Sequence, residues 1–212
     1  MPEQTGQPAH KQFNDPVSVA KRTKQKVYLA AQRDKAAMLE QIIKSADVTQ
    51  AVVITKTKRG ADALSAHLES EGIKAAVVHG NKSAKVCDAA VKAFNEGEVS
   101  ILITTDMILL SLNLDTIPCI IGYDLPIQPE HYFSRLGCMN EAGEAISLVT
   151  PDEQGLLYTI ERSMKQEIEV KELEGFVASP GGDEVAEAGK KRTKKPRHRK
   201  QRRKKESPSE EK

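Results

Sequence analysis

The feature that most constrains the fold of this chain is an alternation between short apolar runs and longer segments with helical periodicity. The apolar runs are five or six residues long and rich in Val, Ile and Thr, which is typical of strands buried on both faces of a sheet. They comprise residues 26–31, 51–55, 75–79, 100–105, 119–123 and 145–150. The pattern therefore predicts about six β-strands.

Amphipathic segments separate these runs, with apolar residues recurring at helical spacing. They comprise residues 34–45, 59–71, 83–95, 128–136 and 152–165. Gly72 and Gly97 stand where two of the helices would end. Because strand, helix and strand joined by short connections form right-handed crossovers, we expect one α/β domain with a parallel sheet flanked by helices.

In open parallel sheets, ligands bind at the carboxyl ends of the strands. In this chain those ends are followed by loops after Thr55, His79, Thr105 and Tyr123. We expect the functional residues in these loops, together with the loop at 136–144.

The two ends of the chain differ in composition from the middle. Residues 1–25 are polar, contain three prolines and show no periodic apolar face. Residues 177–212 also have too little apolar content to form a core. The sequence thus predicts a disordered segment at 1–25, a folded domain at 26–176 and a disordered basic tail at 177–212.

Several classes of protein are disfavoured. No apolar run approaches the roughly 18 residues of a membrane span, and "MPEQTGQPAHKQ" lacks the apolar stretch of a secretory signal. We therefore expect a cytoplasmic protein. Cys87, Cys119 and Cys138 are odd in number and form no CxxC pair, and no histidine has a second ligand at metal spacing, so we expect no disulfide, metal or cofactor.

The formal charge of +2 conceals a division along the chain. Residues 190–205 hold 12 Lys or Arg and no acid, whereas residues 1–189 carry a net charge of −8. Such a polycation binds RNA with steep salt dependence and little sequence preference. We expect this contact to involve Arg192, Lys195, Arg197, Arg199, Arg202 and Arg203. An acidic protein, an anionic membrane surface or a solubilising role are the alternatives.

Four separated segments resemble a known family in order and spacing. They are "VVITKTKRGADALSAHL", "VVHGNKSAKVCDAAVKAFNEGEVSILITTD", "IIGYDLPIQPEHYFSRLG" and "GEAISLVT". Together they resemble the second RecA-like domain of DEAD-box RNA helicases, over about Lys26 to Phe176. The resemblance implies a RecA-like fold and a relation to RNA.

In that family an active enzyme also needs a first RecA-like domain with a GxxxxGK[ST] loop and an Asp-Glu-Ala-Asp sequence. Neither motif occurs in these 212 residues, and "DEVA" at 183–186 lies in a low-complexity segment with no strand before it. Phosphoryl transfer needs a phosphate cradle and a carboxylate for Mg²⁺. We therefore expect a pseudoenzyme rather than an ATPase.

The nucleotide motifs of the matching half also differ from the family. Its Gln-x-x-Arg element falls on Ala84 and Cys87, and its Ala-Arg-Gly-Leu-Asp stretch falls on 109–113, ending in Asn113. Its His-Arg-Ile-Gly-Arg-Thr-Gly-Arg loop falls on 134–141 and retains one arginine, Arg135. The two arginine fingers correspond to Cys138 and Glu141, which implies that this domain does not complete an ATPase site.

The resemblance further implies contacts with the RNA sugar-phosphate backbone. The family's RNA-contacting loops fall on Lys56, Lys58, Arg59, Gly80, Lys82 and Thr105. Cations, hydroxyls and backbone amides of this kind position phosphates without reading sequence. The alternative is that the basic residues are solvated surface charge and that Thr105 only ends a strand.

The leading hypothesis is a monomeric, ATP-independent RNA-binding module. A second is an accessory module that docks on a helicase or ribonucleoprotein complex through the apolar run "MILLSLNL" at 107–114, although these residues could equally belong to the core. A third is an ATP-dependent helicase subunit completed by another chain.

Overall fold

A computed structural model of the chain describes residues 23–45, 48–139 and 143–179, together with Ser18. Glu141 and the whole basic run at 190–205 lie outside the described residues. The tail cations named above are therefore assigned from sequence alone.

Seven strands form one parallel sheet in the described part of the chain. They are β1 (Lys24–Leu29), β2 (Ala51–Thr55), β3 (Ala75–Val77), β4 (Ile101–Thr105), β5 (Cys119–Gly122), β6 (Glu144–Val149) and β7 (Glu169–Lys171). Their order across the sheet is β3-β4-β2-β5-β6-β1-β7. All pairs are parallel, so the carboxyl ends of all seven strands lie along one edge. We call this edge the carboxyl edge.

Six α-helices connect the strands within the described ranges. They are α1 (Lys35–Lys44), α2 (Lys58–Ser70), α3 (Ala84–Asn95), α4 (Asp106–Leu109), α5 (Pro129–Cys138) and α6 (Gln154–Met164). Short 3₁₀ turns at Gln32–Asp34 and Pro151–Glu153 precede α1 and α6. Among the described helices, none has the length and apolar character needed to cross a membrane.

Apolar side chains cover both faces of the sheet. Alternate residues of each strand point to opposite faces, so Val52 and Ile54 of β2 enter one cluster and Val53 enters the other. The first cluster includes Phe94, Leu136 and Leu157 from α3, α5 and α6. The second includes Leu39, Leu64 and Leu68 from α1 and α2. Each fully buried aliphatic side chain of this kind contributes about 1.5–3 kcal/mol.

The predicted α/β RecA-like architecture is confirmed, with one strand more than the six expected. The additional strand, β7, pairs with β1 and forms one end of the sheet. The single turn of α4, which directly follows β4, was not predicted either.

Candidate nucleic-acid interface

The loop after β2 and the first turn of α2 present three cations at the carboxyl edge. Thr57 caps α2 by accepting a hydrogen bond on Oγ1 from the Gly60 N–H, at 3.0 Å. The Lys56 N–H donates to Asp124 Oδ2 at 2.8 Å, which fixes the backbone after β2. Lys56, Lys58 and Arg59 are therefore exposed at the N-terminal end of a helix, where the backbone dipole also favours anions.

Lys58, the first residue of α2, reaches the loop that follows β3. Its Nζ donates to Asn81 Oδ1 at 2.8 Å. A Cβ atom placed on Gly80 would lie 3.4 Å from Lys58 Nζ and 3.7 Å from Cε. The lysine therefore lies directly beside a glycine whose backbone is uncovered, which brings two of the predicted RNA-binding residues together.

Lys82 is held by an acid next to this pair. The Asn81 N–H donates to His79 Nδ1 at 3.3 Å, so the ring hydrogen is on Nε2, which donates to Asp62 Oδ2 at 3.0 Å. Lys82 Nζ lies 2.9 Å from Asp62 Oδ1. The hydrogen bonds from Lys82 and then His79 lower the pKa of Asp62. Lys82 is thus near the other candidates, but Asp62 offsets its charge.

Thr105 is the remaining candidate and lies on β4, between β3 and β2. It is the last residue of β4, is half-buried and pairs in register with Thr55 of β2. Because β3, β4 and β2 are neighbours, the strand ends that carry the candidates are spaced by about 5 Å. The structure therefore brings Lys56, Lys58, Arg59, Gly80, Lys82 and Thr105 to one part of the carboxyl edge.

Arg135 has a different environment. It is only 3% exposed, and its guanidinium donates to both carboxylate oxygens of Asp106, from Nε at 2.6 Å and from Nη2 at 2.7 Å. Its Nη1 donates to the Asp124 carbonyl at 3.0 Å. A Cβ on Gly122 would come within 3.0 Å of Nη1, so the strand end is shaped around this side chain. Arg135 therefore joins the ends of β4 and β5. In each of these contacts its guanidinium donates to a group of the domain itself.

Cys87 and Cys138, which the resemblance aligns with arginines, are half-buried and pack against the first apolar cluster. Cys138 Sγ donates to the Ser134 carbonyl at 3.2 Å, and burial raises the pKa of the Cys138 thiol to about 11. Cys87 packs half-buried against the first apolar cluster. Neither side chain can supply positive charge to a phosphate.

A buried ion cluster that the sequence reasoning missed lies at the ends of β1, β5 and β6. Lys35 is fully buried, with Nζ 2.8 Å from Glu153 Oε2 and 3.4 Å from Asp124 Oδ1. Its Nζ also lies 5.4 Å from the centroid of the Tyr123 ring. The Thr150 N–H and Leu125 N–H donate to Glu153 at 3.0 and 3.1 Å. The signal available in the sequence was the Thr-x-x-Glu capping box at 150–153.

The Glu153 carboxylate keeps its charge despite this burial. Burial raises the pKa of Glu153, but the hydrogen bond from Lys35 and those from the Thr150 and Leu125 N–H groups outweigh it, so the pKa is lowered. The cluster therefore joins α1 to the loops after β5 and β6 through the hydrogen bonds of Lys35 and Glu153. Since Asp124 also accepts from Lys56, this junction positions the candidate RNA-binding loop.

The apolar run at 107–114 is divided between core and surface. Leu109 is buried, and Ile108, Leu112 and Leu114 pack against the first apolar cluster. Met107 is 86% exposed and Leu110 is 50% exposed. Core packing thus accounts for most of the run and leaves two exposed apolar side chains beside Thr105.

Comparisons with known proteins agree with this fold. The helicase conserved C-terminal domain family matches residues 34–138. The DEAD-box ATP-dependent RNA helicase RhpA of Helicobacter pylori is 28% identical over 152 residues, which cover 70% of this chain and 31% of the relative. The chain thus spans about a third of the length of such curated relatives.

Two solved structures are similar. A DEAD box protein from Methanococcus jannaschii matches with a TM-score of 0.68 and 29% identity, covering 73% of this chain and 43% of the other. The E. coli DEAD-box protein SrmB, solved bound to the regulator of ribonuclease activity RraA, matches with a TM-score of 0.69 and 24% identity, covering 74% of this chain and 97% of the other.

Proposed function

Because this chain carries the helicase C-terminal domain of the DEAD-box RNA helicase family, we propose that it is an RNA-binding module that acts without using ATP. The domain orients RNA at its carboxyl edge, and the basic tail supplies most of the affinity. Such a module serves RNA remodelling, ribosome assembly or RNA turnover.

The observation that carries the proposal is the placement of Lys58 beside Gly80. Lys58 bridges the ends of β2 and β3, with exposed Lys56 and Arg59 on one side and Thr105 nearby. Exposed ammonium groups beside an accessible glycine backbone can contact the phosphates of an RNA strand. Contacts of this kind position the strand without reading its base sequence. The hydrogen bond from Lys58 Nζ to Asn81 Oδ1 holds the ammonium group beside Gly80, and Lys58 and Gly80 are both exposed.

The proposal that ATP is not used rests on the two positions that the resemblance aligns with arginine fingers, Cys138 and Glu141. An arginine finger must reach a transferring phosphoryl group, and it contributes about 10³ to 10⁵ in rate. Neither a thiol nor a carboxylate can supply that positive charge, and Cys138 lies half-buried against the first apolar cluster. The arginine that remains, Arg135, is buried and donates to Asp106 and the Asp124 carbonyl. These features support a pseudoenzyme.

The tail adds a second, less specific contact. Its 12 cations within residues 190–205 contrast with the acidic remainder of the chain. Each single-strand phosphate neutralised changes the dependence of log affinity on log salt by about −0.7. A tail of this charge therefore dominates binding at low salt.

The test compares RNA binding by the intact chain, a truncation after Gly189, and two double variants across a salt series. Lys56→Ala with Lys58→Ala should weaken the truncated domain about fivefold or more at low salt, by removing two phosphate contacts. Lys74→Ala with Lys92→Ala is the matched control, since both lysines are exposed, Lys74 lies at the amino end of β3 and Lys92 lies in the last turn of α3, away from the carboxyl edge. Equal binding by the truncation and the intact chain would contradict the role of the tail, and equal effects of the two double variants would contradict the role of the edge.

A second candidate function is docking on a helicase or ribonucleoprotein complex. It is favoured by exposed Met107 and Leu110, and SrmB, which shares the fold, was solved with a protein regulator. Met107→Asp with Leu110→Asp should then abolish co-sedimentation with ribonucleoprotein particles and leave binding to free RNA unchanged. A third candidate, a helicase subunit completed by another chain, requires RNA-stimulated ATP turnover.

A further inference from the structure

The single turn of α4 presents two exposed apolar side chains beside the candidate RNA-binding residues. Met107 is 86% exposed and Leu110 is 50% exposed. They are three residues apart in helical conformation, so they lie on the same side of the turn. Ile108 and Leu109, between them, pack against the first apolar cluster instead. We call Met107 and Leu110 the apolar pair.

The turn that carries the apolar pair is fastened on both sides. Asp106, its first residue, accepts hydrogen bonds from Arg135 Nε at 2.6 Å and Nη2 at 2.7 Å. Beyond the turn, Asn95 Nδ2 donates to the Asn113 carbonyl at 3.0 Å, and the Asp115 N–H donates to Asn95 Oδ1 at 3.3 Å. The exposure of the pair therefore belongs to an anchored backbone.

The candidate phosphate-binding cations lie toward the other face of the sheet. β2 and β4 are neighbours, but α2, which follows β2, packs on the second apolar cluster, whereas α4, which follows β4, packs on the first. Lys58 is in the first turn of α2, and Lys82 is joined to α2 by its salt bridge with Asp62. The carboxyl edge thus has cations on the side of α2 and the apolar pair on the side of α4.

Thr105 lies between these two groups. It ends β4 directly before α4, so its Cα atom is at most about 7 Å from that of Met107. Thr55 Oγ1 is 3.1 Å from the Thr57 carbonyl oxygen and 3.4 Å from the Thr104 carbonyl oxygen, which ties the start of α2 to the end of β4. An RNA strand that contacts both the cations of α2 and Thr105 therefore passes the apolar pair.

We propose that the apolar pair contacts the bases of the RNA strand whose phosphates are bound by the cations on the side of α2. An RNA strand carries its negative charge on the phosphates and its apolar surface on the faces of the bases. The carboxyl edge has the same division into a charged side and an apolar side. Leucine and methionine are among the side chains that insert between nucleic-acid bases. This inference rests on the proposed function and adds base contacts to its phosphate contacts.

Methyl NMR of the intact chain, labelled with ¹³C at the methionine methyl groups, tests this contact directly. The Met107 signal, assigned with Met107→Leu, should move upfield when polyuridine of about 20 nucleotides binds, because the ring of a base shields a methyl group that lies over it. Met38 and Met164 are buried and serve as internal controls. A strand of equal length with abasic spacers in place of the nucleosides keeps the phosphates and should leave the Met107 signal unmoved.

Affinities for the same two strands give a second measurement. Met107→Ala with Leu110→Ala should weaken binding of polyuridine about fivefold, at the low end of the range for stacking on aromatic side chains, and leave binding of the abasic strand unchanged. Val170→Ala with Val177→Ala is the matched control. These valines are 39% and 88% exposed, and they follow α6 at the end of the sheet formed by β1 and β7.

The outcomes separate this inference from the proposed function. A shift of the Met107 signal with polyuridine alone, and a loss of affinity confined to the variant of the apolar pair, support base contact. If polyuridine binds without moving that signal, or the abasic strand moves it equally, base contact is overturned, RNA binding stands, and the pair is free for a protein partner. If the unmodified chain binds neither strand at low salt, the proposed function fails, and base contact fails with it.

Discussion

At the scale of residues, the charges at the carboxyl edge are of two kinds. Arg135 and Lys35 are buried and satisfied by Asp106 and Glu153, whereas Lys56, Lys58 and Arg59 are exposed. A buried ion pair is costly to break, because removing one partner leaves the other charged and desolvated. The buried charges therefore serve the fold, and the exposed ones are available to a ligand.

Replacing Arg135 tests its structural role. Arg135→Met leaves Asp106 without its two guanidinium donors, and we expect a loss of about 3–5 kcal/mol in the free energy of unfolding, measured by urea denaturation. Arg162→Met, at an exposed position of α6, should change stability by less than about 0.5 kcal/mol. A loss below about 1 kcal/mol at Arg135 would mean that the arginine is free for another role.

Replacing Asp62 tests whether an acid restrains RNA binding at Lys82. Its pKa is lowered by Lys82 and His79, so the carboxylate is ionised at neutral pH and competes with phosphate for Lys82. Asp62→Asn in the truncated domain should strengthen RNA binding about two- to fivefold at low salt and steepen the salt slope by about 0.7. Asp88→Asn, an exposed acid on α3, controls for the change in net charge. No difference between the two variants would show that Lys82 does not contact RNA.

At the scale of elements, apolar patterning predicted the strands and helices whose stability comes from burial. The predicted run at 119–123, for example, matches β5 within one residue. β7 escaped prediction because two of its three residues, Glu169 and Lys171, are charged, and it exists by pairing with β1. The junction around Lys35 could not be predicted either, since its three charged members are distant in sequence and meet only when α1 packs beside β5 and β6.

The junction between α1, β5 and β6 predicts a dependence of stability on pH. The folded-state pKa of Glu153 is below its ordinary value of 4.5, so its stabilising contribution is complete above that value and is lost as pH falls through the folded pKa. Glu153→Gln should lower the free energy of unfolding by about 3 kcal/mol at neutral pH. It should also make that free energy fall less steeply as the pH drops below about 4.5. Urea denaturation across a pH series measures both effects. The control is Glu167→Gln, at an exposed position. If the free energy of unfolding of Glu153→Gln fell with acid as steeply as that of the unmodified chain, this role of Glu153 would be contradicted.

At the scale of the whole molecule, the charge is divided between residues 1–189, with a net charge of −8, and the basic run at 190–205. The sequence predicted a basic tail from its 12 cations, and the resemblance predicted RNA contacts by Lys56, Lys58 and Thr105, among others. It could not predict that residues 174–179 lie against α1 and the turn before it, because the contacts of Ser179 with Asp34 and of Glu174 with Gln41 join positions more than a hundred residues apart.

The central claim is that this domain binds RNA and does not use ATP. The most direct measurement is the RNA affinity of the intact chain with and without Mg²⁺-ATP, together with phosphate release in the same samples, repeated with an added first RecA-like domain from a DEAD-box helicase. We predict the same RNA affinity in every case and no RNA-stimulated phosphate release beyond that of the added domain alone. RNA-stimulated hydrolysis that requires this chain, or an RNA affinity that changes with ATP, would contradict the account.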